Sequence, residues 1–351
     1  MGKSSEANGF RIALVGCGYW GSKHARVLHA AEGVAEVVLV DSQEDRLWNL
    51  SRSYKTARCF PALRPALPHV DAVVVASPPS THLAVALAAI QAGKHVLVEK
   101  PLAPTSAGAR TLVSAAAEQG VVLMVGHTFE YNPAVRKLRD LAQGQELGEL
   151  YYIDSARLNL GLYQNDVNVI LDLAPHDVSI MDYLIGQEPV TVSATGAAHG
   201  GSPTENIAYL TVRYEGSLIG HVHVNWLAPA KVRRTILGGS KKMMIYDDME
   251  TSEKLKVYDK GFSIATDPTL EKAYQLMISY RSGDMHAPQL ETREGLAVEV
   301  ENVIRAVNGK EPLVSDGVAG WRVVRILEAA QQSIQRGVAV PINGNPAVLP
   351  R

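Results

Sequence analysis

The segment Arg11-Ile12-Ala13-Leu14-Val15-Gly16-Cys17-Gly18-Tyr19-Trp20-Gly21 sets the architecture of the chain. A short apolar run ends in G-x-G-x-x-G and opens a stretch from Tyr19 to about Ala31 with helical character. A second β-branched run, Glu36 to Val40, follows. The resulting strand-helix-strand unit is about 30 residues long, as that motif requires. Its glycines permit a tight turn and the close approach of a pyrophosphate, whose charge then faces the unpaired N–H groups of the helix start. Gly16, Gly18, Tyr19, Trp20 and Gly21 are therefore expected to hold a dinucleotide. Asp41 ends the second run 20 residues past Gly21. A carboxylate there accepts hydrogen bonds from a ribose 2'-hydroxyl and repels a 2'-phosphate, which favours NAD over NADP. Arg46 lies close enough in sequence to accommodate a phosphate and works against that preference.

The same alternation of short β-branched runs and alanine- and leucine-rich stretches continues to about Val125, the pattern of parallel strands joined by crossover helices. Asp71 to Ala76 reads as a strand covered on both faces and breaks at Ser77-Pro78-Pro79. An open sheet of this type holds its ligand at the carboxyl ends of its strands, so Ser77, Pro78 and His82 are cofactor neighbours by position. His82 serves equally as a plain helix-start residue. A helix from Leu83 to Ala92 precedes the strand His95 to Val98 and then Glu99-Lys100-Pro101; Val121 to Val125 closes the series. Past Gly148 the texture changes to longer alternating stretches, Tyr151 to Leu160, Val190 to Ala194, Ile207 to Tyr214 and Leu218 to Trp226, with helices over Asp172 to Leu184, Arg293 to Asn308 and Asp316 to Arg336. The fold class is α/β. A polar, flexible N-terminus (1–9) leads into a Rossmann dinucleotide-binding domain (10–126). An α+β domain with an open-faced, largely antiparallel sheet follows (127–351), and its last helix is free to pack back on the first domain.

Composition removes other classes. A length of 351 residues suits about two domains. Lys and Arg total 34 against 36 Asp and Glu, and no basic run resembles a footprint for nucleic acid. Two cysteines, Cys17 and Cys59, are too few for a disulfide framework or structural zinc and imply a reducing compartment. With no signal-peptide pattern and no run of about 18 apolar residues, a cytoplasmic protein away from membranes is expected.

Two further strings carry chemistry. Lys100 stands at the ligand edge of the sheet; a lysine there is either solvated or pressed between cofactor and substrate, where it can hydrogen-bond a sugar hydroxyl. In Asp172-Leu173-Ala174-Pro175-His176, with Asp172 as N-cap, Pro175 falls in the first helical turn and Asp172 and His176 share a face. The helix start disfavours imidazolium and the carboxylate favours it, which suits a base that starts neutral and briefly holds a proton. A capped helix whose histidine packs locally would use the same five residues.

The glycine loop, Glu99-Lys100-Pro101 and the Asp172/His176 pair together resemble the Gfo/Idh/MocA family of NAD(P)-dependent sugar and inositol oxidoreductases, in the expected order over nearly the whole chain. The resemblance implies a Rossmann domain plus an open-faced sheet domain, commonly dimeric or tetrameric. It also implies roles: Lys100 on the substrate hydroxyl and cofactor, His176 as acid/base, Asp172 orienting it, with Glu99 and His127 beside the cofactor. Gly126-His127-Thr128-Phe129-Glu130-Tyr131-Asn132-Pro133 is most similar to members acting in bacterial polysaccharide and aminosugar pathways, which oxidise the 3-hydroxyl of a nucleotide-linked hexose. By position, Glu130, Tyr131, Arg157, Asn159, Tyr163 and Asn168 are expected to line the sugar pocket. The Arg157 guanidinium suits a diphosphate or carboxylate, although an ordinary surface role fits it as well. Inositol, a sugar phosphate or an aminoglycoside sugar are alternative substrates, and a non-catalytic dinucleotide-binding regulator is the alternative of another class. His221, His223 and Asn225 share one strand face, read as a polar or interface surface rather than a metal site.

Overall fold

The computed structural model describes residues 9–54, 58–160, 167–264 and 278–342. The expected flexible N-terminus, apart from Gly9, and Tyr163 lie outside the described residues. The chain divides into two compact units. The first takes in the described residues up to Asn132 together with Arg293–Glu328; the second takes in Pro133–Thr292 and Ala329–Ile342. The division thus differs from a single boundary at 126/127, because Arg293–Glu328 belongs with the N-terminal half.

In the first unit, β1 (Phe10–Val15), α1 (Tyr19–Ala30), β2 (Val34–Val40), α2 (Glu44–Ser53), β3 (Cys59–Phe60), α3 (Leu63–Ala66), β4 (Ala72–Val75), α4 (His82–Gln91), β5 (His95–Glu99), α5 (Ser106–Gln119) and β6 (Leu123–Gly126) alternate as the sequence predicts. The strands form one parallel sheet in the order β3-β2-β1-β4-β5-β6, the doubly wound arrangement. Period-2 alternation sends Ala13, Val15, Val38, Val73, Val75, Val96 and Val98 to one face, where α4 and α5 add Ala86, Ile90 and Leu112. Ile12, Leu14, Val37, Leu39, Val74 and Leu97 go to the other, against Ala25 and Leu28 of α1. Each face is completed late in the chain, the first by Trp321 and Val324, the second by Val300, Val303 and Ile304.

In the second unit, α6 (Pro133–Gln143), β7 (Leu150–Leu160), α7 (Val169–Ile185), β8 (Thr191–Ala197), β9 (Ile207–Arg213), β10 (Ile219–Asn225), β11 (Leu227–Gly239), β12 (Met243–Asp247), β13 (Leu255–Ile264) and β14 (Ile278–His286) are followed, after Arg293–Glu328, by β15 (Val340–Pro341). Among the described residues the sheet runs β14-β13-β12-β11-β7-β10-β9-β8-β15, antiparallel throughout except for the parallel pair β7/β10. Helix α7 lies on one face so closely that a Cβ at Gly220 would sit 2.3 Å from Met181 Sδ. The other face is open, carrying Tyr152, Asp154, Tyr209 and His221. The remaining helices, α8 (Gly295–Val307) and α9 (Gly317–Arg336), fall where their apolar spacing predicts.

Candidate active site

Strands β1 and β4 are neighbours, and the chain leaves them in opposite directions. Their carboxyl ends therefore form the switch point where such a sheet binds its ligand. Gly16 turns there with φ +96°, and a Cβ on it would lie 2.6 Å from Ala76 O and 2.7 Å from Ser77 N. A Cβ on Gly21 would lie 1.9 Å from Gly16 O. Gly18, by contrast, has nothing within 4 Å of its missing Cβ. The first and last glycines are thus required by the protein's own backbone. The middle one borders open space at the N-terminus of α1, a cradle that fits the pyrophosphate of NAD.

Asp41, buried at the end of β2, braces this loop: its Oδ2 accepts Cys17 N–H at 2.8 Å and its Oδ1 accepts Gln43 N–H at 2.9 Å. A carboxylate offers about four acceptor positions, so capacity remains for ribose hydroxyls. Burial, with the nearby Asp41 and Cys59 adding to it, pushes the Cys17 thiol up to about 12, so it is no nucleophile. Tyr19 and Trp20 at the start of α1 are exposed, and with Lys23, Thr128, Phe129 and Asn132 they border a hollow of about 350 Å³. It has the aromatic walls and size of a small-molecule site.

At the end of β4, Ser77 Oγ and Thr81 Oγ1 share a hydrogen bond of 2.6 Å, and Thr81 Oγ1 donates to Pro78 O at 2.7 Å, closing the turn. His82 is buried rather than facing a ligand. Its Nδ1 lies 2.8 Å from Pro101 O and its Nε2 2.9 Å from Ser77 O, so it ties the β4 turn to the Lys100–Pro101 loop. Burial holds its imidazole below the usual range against the pull of both carbonyls. Lys100 follows β5 half-buried, its peptide bond to Pro101 cis. Glu99 turns inward: its Oε1 is 2.6 Å from His24 Nε2 and its Oε2 accepts Lys100 N–H at 3.2 Å.

His127 is also buried, with Nδ1 2.9 Å from Glu130 Oε1. Glu130 is likewise inside, and Tyr131 is fully enclosed in the core, its hydroxyl donating to Asn302 Oδ1 at 2.9 Å and bonded to Ser315 Oγ at 3.0 Å. Burial pushes the phenol well above its ordinary range. These three side chains, placed near a ligand by position and by the family resemblance, instead brace the first unit from within.

In the second unit, Asn168 and not Asp172 caps α7: Asn168 Oδ1 accepts Leu171 N–H at 3.0 Å and its Nδ2 donates to Glu205 Oε2 at 3.0 Å. Asn168 is thereby a structural residue, Asp172 sits in the first turn, and Pro175 lies one turn further in, where Leu171 O loses its usual partner. Asp172 and His176 keep their one-turn spacing on α7. Asp172 Oδ2 accepts the indole N–H of buried Trp226 at 3.1 Å, an orienting contact the sequence did not reveal. Arg157 is buried and its Nε donates to Asp177 Oδ2 at 2.5 Å, with Nη2 3.3 Å from Oδ1. The carboxylate it suits is internal, because Asp177 on α7 faces β7. Ser155 Oγ donates to the same carboxylate at 2.7 Å. Asn159, two residues beyond Arg157 on the same strand face, is the pocket candidate that stays open: its buried Oδ1 has no partner among the described residues.

Comparison with known proteins agrees with this geometry. A family model for the oxidoreductase family with an NAD-binding Rossmann fold (GFO_IDH_MocA) matches residues 10–127, and one for the GFO/IDH/MocA C-terminal domain matches residues 135–245. UDP-N-acetylglucosamine 3-dehydrogenase of Acidithiobacillus ferrooxidans is 29% identical over 315 residues, 90% of this chain and 94% of that one. Myo-inositol 2-dehydrogenase of Thermotoga maritima is 23% identical over 349 residues, 95% and 98% of the two chains. The solved structure of GenD2 from gentamicin A biosynthesis, in complex with NAD, superposes with a TM-score of 0.81 at 26% identity and covers 98% of this chain and 99% of that one. With the glycine cradle, the 3-2-1-4-5-6 sheet and both family domains in order, the chain belongs to the Gfo/Idh/MocA family of NAD-binding oxidoreductases.

Proposed function

We propose that this enzyme oxidises a secondary hydroxyl, that at C3, of a nucleotide-linked hexose to a ketone in the biosynthesis of aminosugars, polysaccharides or antibiotic sugars. The observation that carries the reading is the similarity to UDP-N-acetylglucosamine 3-dehydrogenase along 90% of this chain. Lys100 lies in the Glu99-Lys100-Pro101 string, and Asp172 and His176 in the α7 string, that resemble the family's motifs. Gly16, Gly18 and Gly21 hold the pyrophosphate of NAD and Asp41 its adenosine ribose. Bound there, NAD would supply the hydride acceptor for the substrate carbon. Lys100 hydrogen-bonds the reacting hydroxyl, His176 accepts its proton, and Asp172, itself held by Trp226, keeps the imidazole oriented. Asn159 offers a carbonyl oxygen to the sugar.

A panel of UDP- and dTDP-hexoses and myo-inositol, each with NAD and with NADP, tests this by absorbance at 340 nm and by locating the ketone. Turnover of UDP-N-acetylhexosamines with NAD is expected. Oxidation of myo-inositol alone would replace the substrate, and NAD binding without turnover of any member would make the chain a dinucleotide-binding regulator.

The open face of the second sheet, with Tyr152 and Tyr209 exposed, supports a homodimer or homotetramer; a monomer by light scattering at micromolar concentration would overturn that. Among the described residues no helix is long and apolar enough to cross a membrane; Cys17 and Cys59 are not joined in a disulfide, which is compatible with the reducing cytoplasmic setting we propose.

A further inference from the structure

We infer that His24 is a positioning residue for Lys100, acting through the carboxylate of Glu99. The inference rests on the role proposed for Lys100 and adds what holds it in place. Helix α1 starts at the glycine loop, and His24 lies three residues past Gly21 on its buried face, with no exposed surface. Its Nε2 meets Glu99 Oε1 at 2.6 Å, while Glu99 Oε2 accepts the backbone N–H of Lys100 at 3.2 Å. One carboxylate therefore fastens the helix that receives the pyrophosphate to the residue that meets the substrate hydroxyl. Room for it is reserved by Gly126, where a Cβ would stand 3.3 Å from Glu99 Cδ and Oε2.

Burial pushes the Glu99 carboxyl up, but the hydrogen bond and charge of His24, with Lys100 beside it, bring it below its ordinary range. Glu99 is thus held as a carboxylate against His24 Nε2. Glu299 of α8 is fully buried near Glu99 and Glu130, and burial together with the charge of Glu99 holds its carboxyl well above the usual range, so it is neutral. Glu130 is itself paired with His127. His24 is therefore the side-chain donor to Glu99. Without it a buried charge must turn away or take up a proton, and the Lys100 backbone loses its tether.

The test is the His24→Leu protein. Its kcat is expected to fall about ten- to a hundredfold, the range for stranding a buried charged group, while its Kd for NAD, read by fluorescence, stays within about threefold. Hydrogen exchange of the peptide containing the Lys100 amide should quicken at least tenfold in the cofactor-free protein. His24→Gln, which places an amide N–H where Nε2 stood, should recover most of the rate and the protection. Should His24→Leu fail to fold, Glu99→Gln keeps the shape without the charge and should show the same split of kcat from NAD affinity. Lys100→Met measured beside them separates the two readings. Normal turnover by Lys100→Met overturns the role of Lys100 and this inference with it. An inactive Lys100→Met beside a His24→Leu as fast and as protected as wild type overturns the positioning role alone.

Discussion

The three loop glycines make separable demands. An alanine at Gly18 meets no protein atom within 4 Å, so it should leave the melting temperature within about 1 °C and weaken NAD binding at least tenfold. At Gly21 the added carbon would lie 1.9 Å from Gly16 O, and the same substitution should lower the melting temperature before any ligand is added. Calorimetry with NAD titration distinguishes them, and equal losses of stability would refute the division. Asp41 supports both the loop and the ribose. Asp41→Asn should cost about ten- to a hundredfold in NAD affinity, the worth of hydrogen bonds to a charged group, and should narrow the preference for NAD over NADP. An unchanged ratio of the two affinities would remove Asp41 as the selector.

At the level of strands and helices, the most consequential link is the buried pair between Arg157 of β7 and Asp177 of α7, both nearly inaccessible. Removing one member strands the other, so Asp177→Ala should cost about 3–5 kcal/mol in urea unfolding. A loss below 1 kcal/mol would mean that Arg157 finds another partner. The same link shows where sequence reading stopped. Valine-rich strands ending at glycine, Ser77-Pro78 and Glu99-Lys100-Pro101 announce the first sheet, because burial on both faces leaves a continuous apolar signature. The cap of α7 lies four residues before Asp172, since Asn168 and Asp172 are both good capping types and only the fold selects between them. Polar residues with internal partners, Glu99, Glu130, Tyr131 and Arg157, read as ligand contacts because their partners, His24, His127, Asn302 and Asp177, come mostly from other elements. The strands from Leu227 to His286 carry too many charges to stand out as strands. Arg233 with Asp248 and Arg234 with Asp247 pair across that edge.

For the whole molecule, Glu299 makes stability depend on pH in a predictable direction. Its folded carboxyl holds a proton well above pH 4.5, while the unfolded chain releases it near that value. The folded state therefore binds more protons, and stability is lost as pH rises from about 4.5 toward the folded value. Glu299→Gln lacks this loss. Its melting temperature should draw ahead of wild type between pH 5 and pH 8, by about 2–4 °C for each kcal/mol recovered. Parallel curves across that range would show that Glu299 is ionised after all.

The first sheet is finished by Arg293–Glu328, which arrives after the whole of Pro133–Thr292. On the ribosome, then, the dinucleotide half cannot close its core when its last strand emerges. At about 5–20 residues per second it waits roughly 10–40 s with the surfaces destined for Val300, Val303, Trp321 and Val324 still uncovered. A fragment ending at Asn132 reproduces that waiting state permanently and should aggregate. Adding residues 293–328 as a second piece should restore solubility, so the chain's order of synthesis, and not the sheet itself, limits how early the cofactor can bind.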